Sequence, residues 1–180
     1  MLSDYAKGVF SRSVVETALA GKLVVADPKP SNIDAFSGVT CATPNVQEAS
    51  EATGIRITDE ASLMRAGLSL LERLRSRYVV ITLGERGMTL FGSQGEHILI
   101  PSVARTVFDV SGAGDTVTAV LALALAAEAP IVNAVRLANL SAGVVVEKLG
   151  TATATAGEIL TFIEENPFAQ LELEILRGEA

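Results

Sequence analysis

Short β-branched runs, each stopped by proline, glycine or a polar residue and alternating with stretches of helical character, restrict this chain to few architectures. Lys22-Leu23-Val24-Val25-Ala26-Asp27 stops at Asp-Pro, and Val39-Thr40-Cys41-Ala42-Thr43 stops at Pro44-Asn45. Both read as buried strands meeting loops. Tyr78 to Leu83 is a third strand bounded by Gly84, and Met88–Phe91 with His97–Ile100 around Gly92-Ser93-Gln94-Gly95 reads as a hairpin. Helices are expected after Asn45, from Thr58 as N-cap to near Ser76 with Leu63, Gly67, Leu70 or Leu71, and Leu74 along one stripe, from near Ala113, from Ile131 to Lys148, and from Gly157 to Glu165. Such alternation implies an α/β fold whose mainly parallel sheet is covered by helices on both faces, a three-layer α/β/α arrangement. Ligands of such sheets gather beyond the carboxyl ends of the strands. The polar punctuation collects there: Asp27-Pro28-Lys29, Thr43-Pro44-Asn45, Thr82-Leu83-Gly84 and Asp109.

The segment Asp109-Val110-Ser111-Gly112-Ala113-Gly114-Asp115 lies between a strand-like stretch, Thr106-Val107-Phe108, and a long Ala/Leu/Val run. Gly112, Ala113 and Gly114 present little side chain, so a ligand can approach the backbone closely. A helix starting there has unpaired N–H groups and a positive dipole end, which suits phosphate. Asp115 would repel a bound phosphate, so it makes chemical sense as a base acting on a phosphate acceptor. The combination points to phosphoryl transfer; the same residues also fit a plain turn with Asp capping a helix.

Four further sites each carry two readings. Asn45 and Glu48 share a helix face, where Glu48 can order water around a magnesium ion, or the two residues form a helix cap. Thr82-Leu83-Gly84-Glu85-Arg86-Gly87 lets backbone approach a nucleotide, or makes a tight turn into the hairpin. Lys29 neutralises a phosphate as a point charge, or is a solvated loop lysine. Asn139, within an Ala/Leu/Val helix, borders an adenine pocket or satisfies a neighbouring loop, because a buried amide needs a partner.

Composition narrows the partners. The 180 residues suffice for one compact domain, and 49% hydrophobic content with mean hydropathy +0.40 suits a buried sheet. A net charge of −7 and a pI near 4.8 argue against binding nucleic acid or an anionic membrane. ATP stays open, since backbone N–H groups and one or two cations can hold it. One cysteine (Cys41) and one histidine (His97) leave no internal disulfide, Cys-rich zinc site or Ser-His-Asp machine, and a cytoplasmic setting is expected. No signal peptide is evident, and the apolar run Val117–Ala127 is too short to cross a bilayer. The small-residue linker Thr151–Thr155 and the acidic tail after Asn166 suggest a division into residues 1–160 and a helical tail over 161–180.

On these residues the chain resembles the ribokinase-like sugar kinases, the PfkB family. Asp109–Asp115 matches the carboxyl-terminal signature of that family, with Asn45-x-x-Glu48 and Thr82-x-Gly84 in its order. Leu2–Gly8, Asp27-Pro28-Lys29, Thr43-Pro44-Asn45 and Lys148–Thr151 resemble the family's heptose 7-phosphate kinase domains, over roughly residues 2 to 160. The resemblance implies an ATP- and Mg2+-dependent kinase that phosphorylates D-glycero-D-manno-heptose 7-phosphate at its anomeric hydroxyl for lipopolysaccharide precursor synthesis. It implies Asp115 as base, the Gly112, Ala113 and Gly114 amides on the γ-phosphoryl, and Asn45 and Glu48 supporting magnesium and the phosphates. It puts Thr82, Gly84, Gly87 and Asn139 on the nucleotide side, with Lys29 available to phosphate. Only the carboxyl-terminal half of the family's kinase is matched. A truncated or split form lacking the amino-terminal half and lid is therefore expected, as a homodimer or paired with a separate amino-terminal half; the alternatives are a non-catalytic nucleotide-binding remnant and a ribokinase-like kinase of another sugar. A single histidine cannot make the His-x-Gly-His motif of adenylyl transfer, and Thr43 stands where some relatives carry lysine.

Overall fold

The computed structural model describes residues 1–20, 23–167 and 169–170; Lys22 of the first expected strand and residues 171–180 of the expected tail lie outside them. One sheet has the order β1 (Leu2–Ser3), β2 (Val25–Asp27), β3 (Cys41–Ala42), β4 (Tyr78–Thr82), β5 (Met88–Gly92), β6 (His97–Ile100). β1 through β4 run parallel, and β4–β5–β6 are antiparallel neighbours. The helices are α1 (Arg12–Leu19), α2 (Val46–Thr53), α3 (Glu60–Leu74), α4 (Ala113–Ala126), α5 (Ile131–Val146) and α6 (Ala156–Glu165). A 3-10 helix, Pro30–Phe36, follows β2.

Successive strand residues point to opposite faces, and this period of two sorts the core into two layers. Ala26, Ala42, Val79, Ile81 and Phe91 face α2, α3 and the 3-10 helix, where Ala49, Leu70, Leu74, Ile33 and Phe36 are buried. Val25, Cys41, Val80, Leu90 and Ile100 face α4 and α5, meeting Val117, Leu121, Ala134 and Ala138. The expected three-layer arrangement results. A smaller cluster joins Phe162 and Ile163 of α6 to Val103, Leu140 and Val144.

Some expectations shift. Thr106–Phe108 pairs with no strand among the described residues; it belongs to an irregular segment, pinned where the Phe108 N–H donates to Val146 O at 2.8 Å, with Val107 and Phe108 exposed. The cap of α3 is Asp59 rather than Thr58, because the Asp59 carboxylate accepts the Ser62 N–H at 2.7 Å. β1, α1 and the 3-10 helix carry no sequence expectation: a two-residue strand has no periodicity to read. Among the described residues no helix is long and apolar enough to cross a membrane.

Candidate active site

The carboxyl ends of β1 to β4 and the start of α4 surround two adjoining cavities. The smaller, about 190 Å³, is polar and lined by Tyr5, Asp27, Lys29, Glu48, Gly112 and Asp115, among others. The larger, about 830 Å³, is mostly apolar, with Val107, Val110, Val117, Ala142 and Val146 in its walls. Asn45, Thr82 and Gly114 line both and mark the junction. Every candidate residue named from the sequence lines one cavity or the other: Lys29, Glu48, Gly112 and Asp115 the smaller, Gly84, Gly87, Ala113 and Asn139 the larger, and the three junction residues both.

The start of α4 is bare. Gly112 occupies the N-cap with φ +82°, a conformation glycine reaches without strain, and no side chain caps the helix. The Ala113 N–H donates to Val110 O at 3.2 Å. Among the described residues the Gly112, Gly114 and Asp115 N–H groups have no partner. Asp109 braces the turn from outside: its carboxylate accepts the Ser111 N–H at 2.8 Å and the Gly150 N–H at 3.1 Å, and the Ser111 contacts hold it below the usual carboxylate range. Buried Thr118 meets Thr43 at 2.8 Å between hydroxyls, tying α4 to the end of β3.

Carboxylates dominate the small cavity. Asp115 accepts Ser3 Oγ on Oδ1 at 2.8 Å and Tyr5 Oη on Oδ2 at 2.6 Å. That carboxylate raises the Tyr5 phenol above its ordinary range. Burial, and then the charge of Glu48, push Asp27 up to about 6, with Lys29 offsetting part of the effect. Partial burial works against the Lys29 ammonium. Its 2.5 Å hydrogen bond to Glu48 Oε1 and the Asp27 charge outweigh this and hold it above the usual range.

Of the two readings of Asn45 and Glu48, the cap is built: Asn45 Oδ1 accepts the Glu48 N–H at 2.9 Å, and Glu48 Oε2 accepts the Asn45 N–H at 2.9 Å. Glu48 still lines the cavity, with side-chain exposure of 13%. Lys29 is bound to Glu48 rather than freely solvated. Among the described residues no three His, Cys, Asp or Glu side chains converge closely enough to hold a metal directly. Asp27, Glu48 and Asp115 around one lysine nevertheless leave a charge balance that suits a hydrated divalent cation.

In the larger cavity, Gly84–Gly87 is a tight turn: Leu83 N–H donates to Gly87 O at 2.8 Å and Gly87 N–H to Gly84 O at 3.0 Å. Gly87 is demanded by packing, since φ is +91° and a Cβ would strike the backbone of Ile100–Ser102. The Asn139 amide donates to Pro101 O at 2.7 Å, so it satisfies the neighbouring loop while lining the cavity.

Ser3, Tyr5, Asp27 and Thr43 join the site without having been assigned a role from the sequence. The strand-end position of Asp27 and Thr43 was the available signal. For Ser3 and Tyr5 no local pattern reveals a contact across 110 or more residues.

Residues 15–156 match the pfkB family carbohydrate kinase. The bifunctional protein HldE of Desulfatibacillum aliphaticivorans is 47% identical over 172 residues, covering 93% of this chain and 35% of that protein. HldE of Campylobacter curvus (strain 525.92) is 41% identical over 184 residues, 99% of this chain and 39% of that protein. The chain thus spans little more than a third of the length of these relatives. Among solved structures, Arabidopsis thaliana ribokinase complexed with ribose and ATP superposes with TM-score 0.74 at 22% identity, over 86% of this chain and 53% of that one. Thermotoga maritima ribokinase gives TM-score 0.76 at 23% identity, over 91% and 55%. The layered sheet is therefore the ribokinase-like fold, and the chain belongs to the pfkB family of carbohydrate kinases.

Proposed function

We propose that this site carries out ATP-dependent phosphorylation of a sugar phosphate, D-glycero-D-manno-heptose 7-phosphate at its anomeric hydroxyl, in the cytoplasm. The observation that carries the reading is the bare start of α4 between two cavities, an apolar one sized for a nucleoside and a polar one holding Asp115. In-line transfer needs the γ-phosphoryl at that junction, donors on its oxygens and a proton acceptor at the incoming alcohol. The Gly112–Asp115 backbone supplies the donors, with Gly112, Gly114 and Asp115 N–H groups unpaired and Ala113 shaping the turn. Asp115 takes the proton. Thr82, Gly84, Gly87 and Asn139 flank the nucleotide. Magnesium, when bound, would neutralise charge on the phosphates; Glu48, whose backbone N–H is fixed by Asn45, would hold it through water, and Lys29 would reach a phosphate from its place beside Glu48. The heptose identity rests on the similarity to HldE.

The span of those relatives beyond the matched residues favours a second reading. In it, further polypeptide, from a separate half or a second copy, completes the acceptor pocket around a nucleotide-binding core.

The test is sugar-dependent ADP release by the wild-type chain and by Asp115→Asn, alongside Mg-ATP thermal shift. Ligand at about one hundred times Kd contributes roughly 2.7 kcal/mol, a Tm rise of about 5–10 °C at this size. Asp115→Asn is expected to keep that rise and lose turnover; unchanged turnover removes the assigned base. A rise with no wild-type turnover supports the second reading.

A further inference from the structure

Ser3 and Tyr5 leave the carboxyl end of β1 with both hydroxyls on one carboxylate, so neither oxygen of Asp115 is without a donor. The turn that aims Tyr5 is itself held. Asp4, 2% exposed, accepts the Ala6 N–H at 2.8 Å and the Asn32 amide at 3.2 Å, and Ala6 sits at φ +54°. Asn32 also donates to Phe10 O at 2.8 Å. A buried carboxylate and a left-handed alanine thus fix the backbone on either side of Tyr5, a residue that is itself 60% exposed. The ring lines the small cavity, with Lys29 Nζ 5.8 Å from its centroid. Ordering an exposed side chain opposes folding entropically, and core packing does not account for it here.

We propose that Tyr5 is a positioning residue for Asp115: with Ser3 it locks the carboxylate in one rotamer, leaving the remaining lone pairs for the acceptor hydroxyl in the small cavity. This rests on the reading of Asp115 as the proton acceptor. A carboxylate in the first turn of a helix can otherwise rotate about both side-chain torsions. Two hydrogen bonds to an ionised group are short and strong enough to stop that. Reaction rates depend steeply on such placement.

The experiment compares the full chain with Tyr5→Phe, Ser3→Ala, the double variant and Asp115→Asn, using Mg-ATP and D-glycero-D-manno-heptose 7-phosphate. Tyr5→Phe is expected to lower kcat about tenfold with the nucleotide KM and Tm unchanged, and the double variant to fall further. Turnover by Tyr5→Phe within about twofold of wild type, while Asp115→Asn is inactive, overturns the proposal and leaves the base assignment standing. Turnover surviving Asp115→Asn removes the base, and the proposal with it. A second measurement needs no turnover. In a Tyr78→Phe background Tyr5 is the remaining tyrosine, so tyrosinate absorbance follows it alone. Its titration should lie above the ordinary phenol range and return toward it on Asp115→Asn. A Tyr5 phenol indifferent to that substitution means the two groups do not meet in solution, which sinks the proposal.

Discussion

Asp27 shows what single side chains contribute to this site. Its carboxyl is raised from 3.8 to about 6, so ionisation opposes folding: the penalty is absent below the unfolded value and complete above about pH 6. The full shift corresponds to at most about 3 kcal/mol, which the residual exposure of the side chain reduces. Asp27→Asn should therefore raise Tm at pH 8 relative to wild type, with the gain fading toward pH 4, as calorimetry across that range would show. A loss of stability equal at every pH would mean that charge is not the cause. Gly114 illustrates the opposite demand. A Cβ there meets nothing within 4 Å, so the fold has no need of glycine at this position. The open space belongs to the cavity junction. Gly114→Ala should leave Tm unchanged or higher while shrinking the Mg-ATP thermal shift; an undiminished shift would mean that no phosphate comes close to this backbone.

At the scale of elements, two helical glycines separate packing from propensity. A Cβ on Gly67 of α3 would lie 2.5 Å from the Phe91 ring of β5, whereas one on Gly157 of α6 meets nothing within 4 Å. Overpacking costs about 1–3 kcal/mol, and replacing an interior helical glycine by alanine contributes up to about 1 kcal/mol. Gly67→Ala is expected to destabilise by about 1–2 kcal/mol and Gly157→Ala to be neutral or stabilising; denaturant midpoints would reveal it if both moved in the same direction. Helices α2 to α6 were legible because caps and stripes are local, as in the box formed by Asn45 with Glu48. The 106–108 stretch misled because β-branched composition reports a preference for extended backbone, and a strand also needs a neighbour to pair with.

Across the whole molecule, Cys41 reports how firmly the layers are closed. It is fully buried in β3, and burial pushes its thiol up to about 12, so native protein at pH 8 offers neither access nor thiolate. Labelling by a chromogenic disulfide reagent should proceed only as fast as the sheet opens and should slow further with Mg-ATP, which stabilises the closed state. Fast labelling of folded protein would contradict this packing.

From β2 onward, the alternation of strands and helices, the ends of β2, β3 and β4 and the Asp109–Asp115 turn were determined by sequence alone. They depend on periodicity, caps and turn residues, which act over a few positions. Only the tertiary structure decided that Ser3 and Tyr5 meet Asp115, that Lys29 pairs with Glu48, and that Asn139 spends its amide on Pro101. Those contacts join residues 19 to 112 positions apart. Which partner a polar side chain finds at such a distance is set by how the layers pack, and no local pattern encodes it.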